Sequence, residues 1–248
     1  MDLGWLGIQM TAEFWAALGQ IMLINLILSG DNAVVIALAC RQLPANLRIK
    51  GILWGTAGAI VLRVILIFFA LQLLAIPFLK LVGAALLVWI GVKLLLPEEG
   101  DGHGNVDGSD RLWGAVKTVI VADLVMSVDN VIAIAGAAET AGGGHTMPLV
   151  IFGLLVSIPI IVGGSQMVIK LMDRFPIIIT LGAMLLGWIA GTMAVSDPAL
   201  INPDIVAQLP KLTESATLKY GAGFAGALLV FAIGRQLAAK RGGANAPT

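Results

Sequence analysis

The chain has 248 residues, of which 58% are hydrophobic and 12% are charged, and its net charge is zero. A soluble domain carries about 25% charged residues, so this composition indicates a membrane protein that crosses the bilayer several times. The balanced charge gives no reason to expect nucleic-acid binding. The single cysteine, Cys40, excludes an internal disulfide framework and a cysteine-based zinc cluster.

Seven apolar runs near the length of a membrane span predict an all-α membrane protein with seven transmembrane helices. The runs lie at about 14–38, 51–74, 78–96, 114–138, 148–171, 176–195 and 218–237. Pro77 and Pro176 fall at helix starts, where the missing N–H is harmless, and Pro159 falls inside the fifth helix.

Lysine and arginine are unevenly shared between the two sides of the membrane that this pattern defines. Eleven lie in or beside the first, third and fifth connections and the carboxyl-terminal tail, against three on the opposite side. Because basic residues accumulate on the cytoplasmic side, we expect the amino terminus outside and the carboxyl terminus in the cytoplasm.

A short polar phrase occurs twice, as Ser29-Gly30-Asp31-Asn32 and as Ser127-Val128-Asp129-Asn130, and a shift of 98 residues superimposes the copies. The first three helices therefore resemble the next three. Because three is an odd number of spans, the second copy must enter the membrane in the opposite orientation. Inverted repeats of this kind build secondary transporters, whose binding site lies near the midplane between the repeats.

The repeat gives the predicted boundaries. They are 14–96 for the first three-helix repeat, 97–111 for a flexible cytoplasmic linker, 112–195 for the second repeat, 196–217 for an extracytoplasmic loop and 218–238 for a seventh helix. The linker is rich in Gly and Asp, but a calcium loop starting at Asp101 would need Gly at Val106 and Glu at Leu112. A solvated linker is the favoured interpretation.

The doubled phrase supplies candidate metal ligands. A carboxylate at a helix centre costs about 2.5–3.5 kcal/mol, so a bound partner must offset three of them. The candidate ligands are the acidic and amide side chains Asp31, Asp123, Asp129, Asn25, Asn32 and Asn130, with Ser29, Ser127 and Met126 as auxiliary ligands. Sites made of oxygen atoms suit magnesium, calcium and manganese rather than zinc or copper. The alternative is a structural network in which the aspartates bond to Asn and Ser.

Helix geometry adds two expectations. Asp123 and Ser127 share a helix face, whereas Asp123 and Asp129 lie about 9 Å apart along the axis and about 120° apart around it. One ion can touch both carboxylates only if the helix opens near Ser127 and Val128, so we expect a break there, as in other transporters. Arg63 also lies deep in a helix, where we expect it to act as a counter-charge to an aspartate.

The pair Leu28-Ser29-Gly30-Asp31-Asn32-Ala33 and Met126-Ser127-Val128-Asp129-Asn130-Val131, on repeated three-helix units, resembles the TerC family of integral membrane proteins over residues 14 to about 237. The similarity is to its short bacterial, YjbE-like branch, within the wider lysine-exporter superfamily. It implies efflux of manganese across the bacterial inner membrane, a link to tellurium resistance, and Asp31, Asp123 and Asp129 as metal ligands. The family pattern has an acidic residue where this chain has Asn25, which leaves one charge fewer.

The expected function is therefore a secondary transporter that exports divalent manganese in exchange for protons. Its expected partners are the metal ion, protons and the lipid bilayer, with homo-oligomerisation left open and no resident cofactor. The alternatives are a transporter of calcium or another cation, a function linked to tellurium resistance, and a non-transporting accessory membrane protein. No nucleophile–base constellation appears, so no enzyme is expected.

Overall fold

The computed structural model describes residues 19, 30–69, 76–96, 108–140, 146–201 and 216–244, and this part of the chain contains helices and no strand. The helices are α1 Gly30–Cys40, α2 Ala45–Phe68, α3 Leu79–Leu95, α4 Gly108–Thr140, α5 Thr146–Arg174, α6 Ile177–Ala194, α7 Pro198–Ile201 and α8 Ala216–Ala244. Within the described ranges α2, α5, α6 and α8 are long and apolar enough to cross a membrane. The all-α membrane class is confirmed, whereas the count of seven spans and the repeat stay predictions.

The helix bounds differ from the predicted boundaries at three places. Helix α4 begins at Gly108, inside the predicted linker, and α7 lies within the predicted loop of residues 196–217. Helix α8 continues to Ala244, beyond the predicted end at 238. Pro176 is the N-cap of α6, as expected for a proline at a helix start, and Pro159 lies inside α5.

Small residues bring α2 against α4. A Cβ atom added to Gly55 would lie 3.0 Å from a methyl group of Val119, and one added to Gly58 would lie 2.5 Å from a methyl group of Ile120. Gly51 lies beside Leu112, and Gly55, four residues later, lies beside Val119, so residue numbers increase in the same direction along both helices. Helices α2 and α4 are therefore parallel. The glycines thus set both the distance between the two helices and their register.

A second group of helices consists of α3, α6 and α8. Helix α6 packs extensively against both others. Side chains at Gly187 and Gly191 would collide with the backbone of α8, at Gly226 and Ala222 respectively. The small-residue spacing at 187–191 therefore serves packing within the chain, as the one at 51–55 does between α2 and α4.

One end of the bundle collects the basic connections. Arg41, after α1, donates a hydrogen bond of 3.0 Å to the carbonyl oxygen of Leu94 near the end of α3. Arg48, near the start of α2, forms an ion pair of 3.1 Å with Asp173 near the end of α5. We call this the basic end, and its location on the cytoplasmic side stays a prediction.

The opposite end is held by a buried carboxylate, Asp197, which joins α3 to the segment after α6. Its Oδ1 accepts hydrogen bonds from the backbone N–H groups of Phe78, at 2.9 Å, and Ala199, at 2.8 Å, and its Oδ2 accepts one from Leu81 at 3.1 Å. Burial opposes the charge, but the backbone N–H groups of Ala199, Phe78, Leu81 and Lys80 hold the pKa of Asp197 below its ordinary value. The carboxylate therefore caps α3 and α7 in its ionised form.

We expect Asp197→Ala to lower the free energy of unfolding at neutral pH by about 1–2 kcal/mol, the cost of a lost helix cap. Because the pKa of the folded carboxyl is depressed, its stabilisation is present above about pH 4 and is lost as the pH falls further. Thermal unfolding of the protein in detergent between about pH 7 and about pH 3 measures both effects.

The control is Asp173→Ala, which removes an ion pair whose carboxylate side chain is 56% exposed. Exposed pairs contribute about 0–1 kcal/mol, so this variant should unfold nearly as the wild type does. Equal stability of Asp197→Ala and wild type at neutral pH would contradict the assigned role of Asp197.

Candidate functional site

Three helices bring polar residues to one level of the bundle. Gly51 of α2 contacts Cys40 at the end of α1 and Leu112 near the start of α4, so these three residues mark one level at the basic end. From that level Asp31 lies nine residues away along α1, Arg63 twelve along α2 and Asp123 eleven along α4. At 1.5 Å per residue this is about 14–18 Å. Half of a hydrocarbon core is about 15 Å, so the three residues share one level at a comparable distance from the basic end.

Arg63, Asp123 and Ser127 form a closed hydrogen-bonded cluster. The Nη2 of Arg63 donates to Oδ1 of Asp123, and its Nε donates to Oγ of Ser127 at 3.0 Å. Ser127 in turn donates to Oδ2 of Asp123 at 3.1 Å. The three residues are 3%, 7% and 0% exposed. Arg63 is thus the counter-charge of Asp123, and both carboxylate oxygens are already engaged.

Helix α4 is unbroken at the second copy of the phrase, so the expected break near Ser127 and Val128 is wrong. The helix runs from Gly108 to Thr140. The reason is chemical: Arg63 of α2 supplies the donors that Asp123 and Ser127 need, so the backbone of α4 has no need to open. Of Asp129 only the backbone is described, and on a continuous helix one ion cannot reach both carboxylates.

A small cavity lies between α1 and α4. It measures about 10 Å³ and is lined by Asn32, Val35, Ile36, Val119 and Asp123. This is roughly the room that one water molecule needs. The Asn32 side chain is buried, and in the described part of the chain neither its Oδ1 nor its Nδ2 has a hydrogen-bond partner. The cavity therefore places an unpartnered amide close to a carboxylate.

The other predicted ligands are placed unequally. Asp31 is half-buried, accepts a hydrogen bond of 3.1 Å from the N–H of Asn32, and lies near enough to Arg63 and Asp123 for their charges to act on it. Asn130 is half-buried, seven residues beyond Asp123. Met126 is buried in the hydrophobic core.

Asn25 and Ser29 lie outside the described residues. In the described part of the chain no three His, Cys, Asp or Glu side chains come close enough to form a metal cage.

Sequence reasoning missed Thr56 of α2. Its side chain is buried, and within the described segments its hydroxyl has no hydrogen-bond partner. Thr56 precedes Arg63 by seven residues, two helical turns, so both side chains lie on one face of α2. The sequence signal that could have identified Thr56 is its spacing of seven residues from Arg63, which puts its hydroxyl on the same face of α2 as the buried arginine.

The buried pair predicts a specific pattern of stabilities. Arg63→Met or Asp123→Leu alone leaves one charge buried without its partner, which costs about 3–5 kcal/mol. The double variant removes both charges and should recover most of that loss, since the Ser127 hydroxyl can then bond to a backbone carbonyl of its own helix. Unfolding in detergent of all four proteins gives the coupling energy. A double variant that is less stable than either single one would contradict the pairing.

Comparison with known proteins places the chain in a family. The match to the Integral membrane protein TerC family covers residues 10–242. The uncharacterised membrane protein YjbE of Bacillus subtilis (strain 168) is 40% identical over 77% of this chain and 84% of its own length.

Two other relatives are more distant. The uncharacterised membrane protein YceF of the same organism is 28% identical over 73% of this chain and 71% of its own length. The inner membrane protein YgdQ of Escherichia coli (strain K12) is 26% identical over 50% of this chain and 60% of its own length. No solved structure matches. With a family match over nearly the whole chain and a close relative of similar length, the protein belongs to the TerC family of integral membrane proteins.

Proposed function

We propose that the protein is a secondary transporter that exports divalent manganese from the bacterial cytoplasm in exchange for protons. The cation binds between α1 and α4, near the middle of the membrane. Membership of the TerC family supports a membrane function, and the chemistry of the buried side chains supports a hard divalent cation as cargo.

The observation that carries the proposal is the cavity beside Asn32 and Asp123. A buried polar atom without a partner costs about 1–3 kcal/mol, and Asn32 has two of them. A cation in the cavity gains the amide oxygen of Asn32 and the carboxylate of Asp123 as ligands. Their hardness suits manganese, magnesium or calcium, and of these we propose manganese, the ion that the resemblance to the TerC family implies.

The directions of the helices support the inverted repeat that alternating access requires. Helices α3 and α6 run in opposite directions, since Gly83 faces Met193 and Gly91 faces Ala183. With one further residue of offset the repeat pairs Gly83 with Gly182. Each of these glycines packs against the polar-phrase helix of the other repeat, at Val125 of α4 and at α1 respectively. Seven spans in two inverted units plus one helix remain our proposal for the whole chain.

The carboxylates act in sequence along the pathway rather than as one cage. Asp31 and Asp123 serve the midplane cavity with Asn32. Asp129, six residues farther along α4, serves a second position about 9 Å nearer the end held by Asp197. Asn25 and Asn130 are proposed as neutral ligands of these positions. Protons and metal compete for the same carboxylates, which couples release of the metal to entry of protons.

Two alternative functions can be distinguished from manganese export by experiment. The first is transport of calcium or another cation, including a tellurium-linked one, through the same site. The second is an accessory role, in which the buried aspartates only hold helices together. No enzymatic activity is proposed.

The test is manganese uptake into inverted membrane vesicles. Asp31→Asn should reduce the flux by at least about tenfold, since a lost ligand costs more than a lost outer-shell contact. Its abundance in the membrane should be unchanged, because within the described residues Asp31 forms no ion pair. Asp173→Asn, at the exposed pair with Arg48, is the matched control and should transport as the wild type does.

Each alternative predicts a different result in the same vesicles. A flux of Asp31→Asn equal to that of the wild type contradicts the site. Stronger inhibition of manganese uptake by calcium than by an equal amount of unlabelled manganese indicates calcium as the cargo. A wild type that moves neither ion, together with reduced abundance of Asp31→Asn, favours the accessory role.

A further inference from the structure

The guanidinium of Arg63 supplies Asp123 with the positive charge that a bound cation would supply. Its Nη2 contacts Oδ1 of Asp123 and its Nε contacts Oγ of Ser127. Ser127 donates to the second carboxylate oxygen, so the cluster satisfies the carboxylate without a metal. A divalent ion that enters the neighbouring cavity meets an Asp123 each of whose oxygens already accepts a hydrogen bond.

Cation and guanidinium compete for the same carboxylate. Both carry positive charge, and in a buried site their repulsion is poorly screened. Full coordination of an ion by Asp123 therefore requires Arg63 to withdraw. Asp31 is half-buried and lies near enough to Arg63 for the two charges to interact, so a second carboxylate attracts the guanidinium when it withdraws from Asp123.

The packing of α2 confines this exchange to the side chain. At Gly55 and Gly58 the backbone of α2 lies close to Val119 and Ile120 of α4, 3.0 Å and 2.5 Å from where a Cβ atom would stand. The backbone that carries Arg63 therefore continues a closely packed seam beside Asp123. The flexible side chain is the part that is free to leave.

The second repeat lacks such a group. The residue that corresponds to Arg63 is Ile161, which is 5% exposed and packs in the hydrophobic core. The equivalent position in the fold is thus filled by an apolar side chain. A buried arginine in one repeat alone indicates a specific task at the site.

Resting on the proposed cation transport, we propose that Arg63 is a tethered substitute for the transported ion. It neutralises Asp123 while the site is empty, and the arriving divalent cation displaces it. Arg63 is thus a positioning residue that sets the affinity of the site. The fraction of molecules with Arg63 withdrawn is the fraction competent to bind, so the apparent Kd is raised by the inverse of that fraction.

The experiment measures binding of manganese chloride to purified full-length protein in detergent, by equilibrium dialysis. If Arg63 holds the site in nine molecules of ten, Arg63→Gln lowers the apparent Kd for manganese about tenfold. Guanidinium chloride at millimolar concentration should raise the Kd of Arg63→Gln back toward that of the wild type, while leaving the wild type itself nearly unchanged. A residue that only stabilises the fold would produce neither effect.

Arg63→Lys keeps the test valid if Arg63→Gln does not fold. Lysine keeps a charge beside Asp123 but lacks the planar fork that reaches Asp123 and Ser127 together, so it competes less and the Kd should fall by a smaller factor. An unchanged or weaker manganese affinity in the folded variants overturns the substitute role. If the wild type itself binds and transports no divalent ion, the proposed function fails instead, so the two failures are distinguishable.

Discussion

The ion pair of Arg63 and Asp123 in an apolar bundle is the interaction on which the rest of the structure depends. Two charges at that depth are tolerated only as a hydrogen-bonded pair, and the pair forms only if α2 lies directly against α4. Gly55 and Gly58 allow that approach, since an added Cβ atom there would lie 3.0 Å and 2.5 Å from side-chain carbons of Val119 and Ile120. The small-residue seam and the buried charges are therefore two parts of one requirement.

The sequence predicts the all-α class and the helix face shared by Asp123 and Ser127. Apolar runs of about twenty residues are a sufficient signal for the all-α class, and the four-residue spacing of Asp123 and Ser127 predicts their shared face. It does not predict that Arg63 lies level with Asp123. That depends on the register of α2 against α4, a tertiary property set by where Gly55 and Gly58 meet Val119 and Ile120.

The errors have physical causes too. A break at Ser127 was expected because two carboxylates on one helix cannot otherwise share an ion, but the donors from Arg63 satisfy Asp123 and Ser127 with α4 intact. The cap formed by Asp197 was missed because a loop acid has no distinctive spacing. The dipeptide Asp197-Pro198 fits a helix start, with a capping side chain followed by proline. It reveals α7 but not the contact with α3.

Within the described part of the chain, the buried charges divide between the two helix groups in a way that separates support from chemistry. Asp197 lies at one end of α3 and α6, where backbone N–H groups satisfy it completely. In the seams among α3, α6 and α8 the buried side chains are apolar. Arg63 and Asp123 belong instead to the α2–α4 seam, next to the one-water cavity. The helix pair that holds the ion pair thus packs, through Gly83 and Val125, against a group whose buried side chains in these seams are apolar.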